Sequence, residues 1–279
     1  MSITMNADQE TVKRWGFQWR LFDQSNIAGP ELQRIFNSYF KLFPWDDLPI
    51  DAVGIDIGCG TGRWADFVAP RVGELHCVEV AAPALEVARR KLAGHGNCRF
   101  HLASLDAMPI PDGSMDFAYS IGVFHYVPEP MAALESCVRK LKPGAPFLLY
   151  VYYALDNRPL WYRGIWRWAD LLRRMVSSWP LRVKLLFSQV VAVLVYFPLA
   201  RLSLAIERSG GRVDLIPLSG YRSLSFGTMQ NDALSRFGYG LEHRFTKREV
   251  MTMMALAGLE RVSVSDRSFW TAVGYRKNA

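Results

Sequence analysis

Residues 54–64 read GIDIGCGTGRW, a glycine-rich turn with a carboxylate just ahead of it. Gly58, Gly60 and Gly62 are spaced GxGxG, and Arg63 stands where a dinucleotide fingerprint needs its third glycine. That residue removes the close helix–strand approach on which pyrophosphate binding depends. Asp56 lies two residues before the first glycine, where a carboxylate repels a pyrophosphate and attracts an ammonium group. Glu79 ends the next apolar run about twenty residues further on, where an acid accepts both hydroxyls of a ribose. A nucleoside with an amino-acid tail and no phosphate satisfies all three features, and S-adenosylmethionine is such a molecule.

Methyl transfer from a sulfonium is an in-line displacement that runs largely on proximity when the acceptor is already reactive. A hydroxyl acceptor needs a base. His125, in GVFHYV, is the first candidate and His243, in GLEHRFT, the weaker one. A lone histidine is as often a packing residue, so the two readings of each stand side by side. Residues 230–246 read as a lid strand and turn that bring Asp232, Tyr239 and His243 toward an acceptor. Near the start, RWGFQWRLFD packs Trp15, Phe17 and Trp19 within five residues. Such a cluster suits either an aromatic cover that attracts a sulfonium or a helix glued to the core.

The elements around these residues alternate. AVGIDIG reads as a buried strand and RWADFVAP as the start of a helix closed by Pro70. ELHCVEV and APALEVARRKLAG repeat the pair, CRFHLAS and MDFAYSIG are two more strands, and MAALESCVRKL precedes the strand PFLLYVYY. Strict alternation predicts a parallel sheet covered by helices on both faces. At the C-terminus, Thr246 and Glu249 form a capping-box pattern ahead of a helix, followed by the strand pair ERVSVSDRSFW and TAVGYRK. The expected organisation is an aromatic helical cap over 1–50, an α/β core over 51–156 and 245–279, and a basic helical insertion over 157–244 that shapes the acceptor site.

The insertion carries the charge. The chain has a formal net charge of +7, and between Arg158 and Arg212 ten basic residues face only Asp170 and Glu207. Basicity confined to one segment argues against a nucleic-acid surface. Trp161, Ile165, Trp168, Leu172 and Met175 form one helical stripe with Arg163, Arg167 and Arg174 opposite, the pattern of an interfacial helix or of an ordinary packed one. The apolar run 185–200, bounded by Lys184 and Arg201 and containing Ser188, Gln189 and Pro198, is expected to be too short and interrupted to span a bilayer. Peripheral membrane contact through 159–205 and a homodimer are both open. The four cysteines, Cys59, Cys77, Cys98 and Cys137, lack metal-ligand spacing, which predicts a reduced cytoplasmic protein without structural metal. The first residues show no basic-then-apolar export pattern.

The stretches VGIDIGCGTGRWADFVAP, HCVEVAAPALEVARR and MPIPDGSMDFAYSIGVFHYVPEPMAALESCVRKLKPG resemble the class I S-adenosylmethionine-dependent methyltransferases, in the broad small-molecule group of methyltransferase type 11. The resemblance covers about 51–153. It implies a Rossmann-like seven-stranded sheet with its last strand antiparallel. It also implies that Asp56, Gly58, Cys59, Gly60, Thr61 and Gly62 line the methionine and ribose, that Glu79 holds the ribose hydroxyls, and that Ile121 flanks the methionine half. Trp19 falls in an opening like those that cover the pocket in part of the family. Where members often carry an acid for the adenine amine, this chain has Ser104 and Leu105, with Asp106 as a substitute. The expected activity is O-methylation of a small molecule, glycan or lipid-linked acceptor. A membrane-peripheral or regulatory S-adenosylmethionine-binding protein without turnover and a nicotinamide-dependent oxidoreductase are the rivals, the latter opposed by Arg63. SIGVFHY stands where a DNA methyltransferase would carry its Asn/Asp-Pro-Pro-aromatic motif.

Overall fold

A computed structural model describes residues 12, 16, 27–156, 158–238, 240–265 and 270–278. Trp15, Phe17, Trp19 and Tyr239 lie outside the described residues. The chain divides into two compact units, one of residues 1–23, 33–154 and 241–279, the other of residues 24–32 and 155–240.

The first unit is built on β1 (Val53–Ile57), β2 (Glu74–Glu79), β3 (Cys98–Leu102), β4 (Phe117–Ile121), β5 (Pro146–Val151), β6 (Leu259–Val264) and β7 (Trp270–Arg276). They form one sheet in the order β3-β2-β1-β4-β5-β7-β6. The pairs from β3 to β5 are parallel, and β7 runs antiparallel to both β5 and β6. This is the expected seven-stranded Rossmann-like sheet with its last strand reversed. Its helices are α1 (Gly29–Tyr39) from residue 33 onward, α2 (Ala65–Val68), α3 (Ala82–Lys91), α4 (Pro130–Lys140) and, before β6, α8 (Lys247–Leu256).

Period-2 alternation sorts the strand residues onto two faces. Ile55, Ile57, Ala118, Phe147 and Leu149 join a core with residues of α4 and α8. Leu75, Phe117, Tyr119 and Leu148 join the opposite core with α1 and α3. Phe36 and Phe40 of α1 stack at 4.3 Å within that second core. The capping box of α8 forms as its sequence requires: Glu249 N donates to Thr246 Oγ1 at 3.1 Å and Thr246 N to Glu249 Oε2 at 2.7 Å.

The second unit is helical: α5 (Leu160–Ser177), α6 (Leu181–Arg208) and α7 (Phe226–Gly238). Two expectations are corrected here. The run 185–200 is not interrupted: α6 is one helix of 28 residues, long and apolar enough to cross a membrane. It continues through Pro198 because a π turn over Ala192–Tyr196 precedes it, and the wider turn accommodates a ring that lacks an N–H and crowds the preceding carbonyl. Nor is 230–246 a lid strand and turn as a whole, since residues 230–238 are the second half of α7. Asp232 therefore sits on a helix, where its Oδ2 accepts from Tyr221 Oη at 2.9 Å. The propensity of ALSRF for helix outweighed the glycines that follow it.

Candidate cofactor and acceptor site

The site lies at the carboxyl ends of β1, β2 and β4, where an open parallel sheet leaves a crevice. After β1 the chain turns through Gly58, Gly60 and Gly62, all with positive φ. Gly58 and Cys59 donate their N–H groups to Val78 O at 2.8 and 3.0 Å, which ties the turn to β2. A Cβ on Gly58 would meet Val123 at 2.4 Å, so both its φ of +71° and its surroundings require glycine. Cys59 and Thr61 are buried in the turn.

Glu79 binds the turn from the other side. Its Oε2 accepts from Gly60 N at 3.0 Å and its Oε1 from Ala81 N at 2.8 Å. Burial raises its pKa while these backbone N–H groups hold it down. A carboxylate oxygen has more than one lone pair, so each remains able to take a hydroxyl.

Asp56 is paired in register with Cys77 on β2 and Tyr119 on β4. Burial pushes its carboxyl up to about 8; the Tyr119 phenol opposes that shift and the negative charge of Glu79 adds to it. Its Oδ2 is buried without a hydrogen-bond partner among the described residues. A buried carboxylate oxygen in that state is costly unless a donor, above all a cation, arrives. An amino-acid ammonium fits this chemistry, and the Glu79 oxygens fit a ribose diol. Ser104, just past β3, is buried with its Oγ in the same condition, and Leu105 beside it is buried. Ile121 ends β4 half-buried.

Cys59, Cys77 and Cys98 behind the turn all have thiol pKa values shifted upward, which disfavours the thiolate. The adjacent Cys77 thiol lowers the pKa of Cys59 and burial raises it, leaving the group at about 11; it stays protonated at neutral pH. Among the described residues, no group of three or more His, Cys, Asp or Glu side chains could hold a metal ion.

Beyond β4 the surroundings of the crevice are aromatic. His125 is fully buried in a short 3₁₀ turn. Its ring stacks on Tyr152 at 3.7 Å and meets Tyr126 edge-on at 4.3 Å. Tyr126 Oη lies 3.3 Å from Tyr152 Oη, and Tyr39 of α1 packs on Tyr150 at 4.6 Å. The segment after residue 240 runs along this wall. His243 N donates to His125 O at 2.7 Å, and Phe245 N to Tyr152 O at 2.9 Å. Arg244 lies over the Tyr152 ring at 5.4 Å and pairs with the buried Glu242 at 2.8 Å.

The two histidines are thus brought together, as are Asp56, Glu79 and the glycine turn, while Asp232 belongs to the helical unit and Trp19 lies outside the described residues. Sequence reasoning did not single out Tyr119, Tyr152, Glu242 or Arg244. Tyr119 had a signal, since it sits two residues before the end of β4 as Asp56 does near the end of β1. Arg244 had none, because its place follows from the pairing of residues far apart in the chain.

Residues 55–149 match the family model of the methyltransferase domain. Among curated proteins, the chain is 31% identical over 127 residues to a malonyl-[acyl-carrier protein] O-methyltransferase of Serratia marcescens, covering 46% of this chain and 48% of that one. It is 32% identical over 99 residues to a sterol 4-C-methyltransferase of Caenorhabditis elegans, 34% of this chain and 30% of the relative. A ubiquinone biosynthesis O-methyltransferase of Paracidovorax citrulli is 27% identical over 107 residues, 37% and 43% of the two chains. The match thus spans less than half the length of these relatives. Among solved structures, a chain from the Haloferax volcanii complex between the Trm112 methyltransferase activator and a methyltransferase superposes with a TM-score of 0.53, at 14% identity over 95% of this chain and 98% of that one. At that identity the likeness is one of fold.

Proposed function

The α/β core belongs to the class I S-adenosylmethionine-dependent methyltransferases, and on that premise we propose that the protein transfers the methyl group of S-adenosylmethionine to an oxygen of a small-molecule, glycan or lipid acceptor. One observation carries the reading: the buried Oδ2 of Asp56, without a hydrogen-bond partner among the described residues, stands beside Glu79, whose carboxylate is already bound to the amide of the glycine turn. Asp56 would hold the ammonium and Glu79 the ribose hydroxyls. The backbone of residues 58–62 would follow the methionine and ribose, with Ile121 flanking the methionine half. Ser104 and Leu105 would flank the adenine. When bound, the cofactor supplies the electrophilic methyl group.

The rest falls to the chain's own residues. The wall of Tyr39, Tyr126, Tyr150 and Tyr152 excludes water and presents ring faces to an acceptor and to a cationic methyl donor. His125, held in that wall, is the proposed proton acceptor for a hydroxyl, and His243 backs it. Arg244, its charge balanced by Glu242, backs the Tyr152 ring. Two of the three relatives named above are O-methyltransferases, which supports oxygen as the proposed acceptor atom, while the sterol 4-C-methyltransferase keeps carbon as its rival.

The test is a label partition. The protein is incubated with methyl-labelled S-adenosylmethionine and fractionated cell extract, and label is counted in organic, aqueous and protein fractions. Label in a small-molecule fraction, lost with Asp56→Asn, supports the reading. S-adenosylhomocysteine binding without transfer to any fraction assigns the protein a cofactor-binding role without turnover.

A further inference from the structure

The helices of the second unit are inverted with respect to water. A helix of a soluble domain normally buries its large apolar residues and exposes its polar ones. On α6 the residues turned inward are Lys184, Ser188, Ala192, Tyr196, Ala200 and Ser203. Those turned outward include Leu186, Val193 and Leu194, the last 68% exposed. α5 behaves the same way. It buries Arg173 and Ser177 with the single aliphatic Val176 and exposes Trp161, Ile165, Trp168 and Met175, with Trp168 75% exposed. The stripe of α5 that its periodicity marks as apolar is therefore not a packing face. Both helices pack on α7, so each has already spent its inward side.

The surrounding charge says what covers these stripes. Asp170 is taken up by Arg173 and Arg174, at 2.7 and 2.9 Å, and Glu207 by Arg222 at 2.7 Å. Among the described residues, Arg163, Arg167, Arg182, Arg201 and Arg208 pair with no carboxylate. Arg182 stands near one end of the uncharged outward run of α6, and Arg201 and Arg208 near the other. Exposed tryptophans and aliphatics fringed by unpaired arginines match the acyl boundary and the anionic headgroups of a bilayer. A protein partner would need carboxylates placed around an apolar face, whereas a lipid leaflet supplies both layers at once.

Length alone would let α6 span a bilayer, but its inward side forbids that pose. Lys184 Nζ donates to Ser177 O, and α7 against it carries Asn231, Asp232 and Arg236. Spanning would carry these groups into hydrocarbon at high cost. Lying in the plane keeps them on the aqueous side and sinks only the outward stripe.

We propose that the helical unit is a membrane-docking module that seats in the plane of an anionic phospholipid surface through the outward stripes of α5 and α6. The assignment rests on the second unit alone and goes beyond the methyltransferase reading of the core.

The test uses the full chain in sedimentation with phosphatidylcholine vesicles, with or without about one-third phosphatidylglycerol. The wild type is expected to partition into the anionic vesicles at least about tenfold better than into the neutral ones, with the difference reduced in high salt. Trp168→Glu and Leu194→Glu are each expected to lower partitioning at least about tenfold. Both positions face outward, so thermal unfolding should match wild type. Absence of vesicle binding by wild type, or full binding by both variants, overturns the proposal. So does a lipid-free dimer seen by light scattering that Leu194→Glu converts to monomer, which would give the face to a second copy. Binding of S-adenosylhomocysteine, read in the same samples, tests the core separately: its loss in wild type would defeat the methyltransferase reading and leave the docking result intact.

Discussion

The backbone amide of His243 donates to the carbonyl oxygen of His125 at 2.7 Å, joining the turn after β4 to the segment that precedes α8. The two histidines with the strongest claim to base chemistry are therefore held as one unit, although more than a hundred residues separate them. They differ in environment. His125 is sandwiched among tyrosines, while the Nε2 of His243 is buried without a hydrogen-bond partner among the described residues.

That relationship predicts unequal effects of substitution. His125→Gln is expected to lower kcat by about 10²–10⁴-fold, the range of a lost general base, with S-adenosylhomocysteine affinity retained. His243→Ala keeps the backbone hydrogen bond and is expected to lower kcat by less than about tenfold. Steady-state kinetics with a cofactor-binding control decides between a base and a mechanism of proximity alone. Near-normal turnover in both variants would establish the latter.

Asp56 makes the cofactor-free protein sensitive to pH in a definite direction. Its carboxyl is raised from 3.8 to about 8 by burial. The folded chain thus holds a proton that the unfolded chain gives up above pH 4, and unfolding between those values releases it. Stability contributed by this group falls as pH rises from about 4 to about 8. Asp56→Asn should flatten that slope and raise the melting temperature of the cofactor-free protein at pH 8. The same variant should weaken S-adenosylhomocysteine binding at least tenfold. In wild type, that binding should tighten as pH rises toward 8. A lower melting temperature for Asp56→Asn at pH 8 would contradict the assignment.

Glu79 serves the fold and the ligand together. Glu79→Gln replaces one acceptor oxygen with an amide nitrogen facing the N–H of Gly60 or Ala81, leaving a buried donor unmet. The expected cost is about 1–3 kcal/mol of stability, accompanied by weaker cofactor binding. Chemical denaturation and calorimetric titration measure the two parts independently.

Gly58→Ala combines a φ of +71° with a clash at Val123. The expected result is loss of cofactor binding and a lowered melting temperature. Adding Val123→Ala should restore part of the melting temperature, since it relieves the contact while the backbone strain remains. Full recovery would mean that the strained φ costs little.

Much of this protein can be read from its residues in order. The alternation of strands and helices, the glycine turn with Asp56 and Glu79 around it, and the Thr246–Glu249 capping box depend on spacing within about twenty residues, which local geometry converts directly into structure. Periodicity likewise marked which residues of α5 share a stripe. What it could not decide was the side on which that stripe would find a partner. That depended on α7, over fifty residues away, occupying the polar side of both α5 and α6. The continuity of α6 through Pro198 depended on a π turn that no residue type announces. The placing of Tyr119 against Asp56, of Arg244 over Tyr152 and of His243 beside His125 followed from the register of strands and segments brought together only in the folded sheet. Spacing along a chain determines local geometry, whereas contacts between distant segments are decided only when the whole core packs.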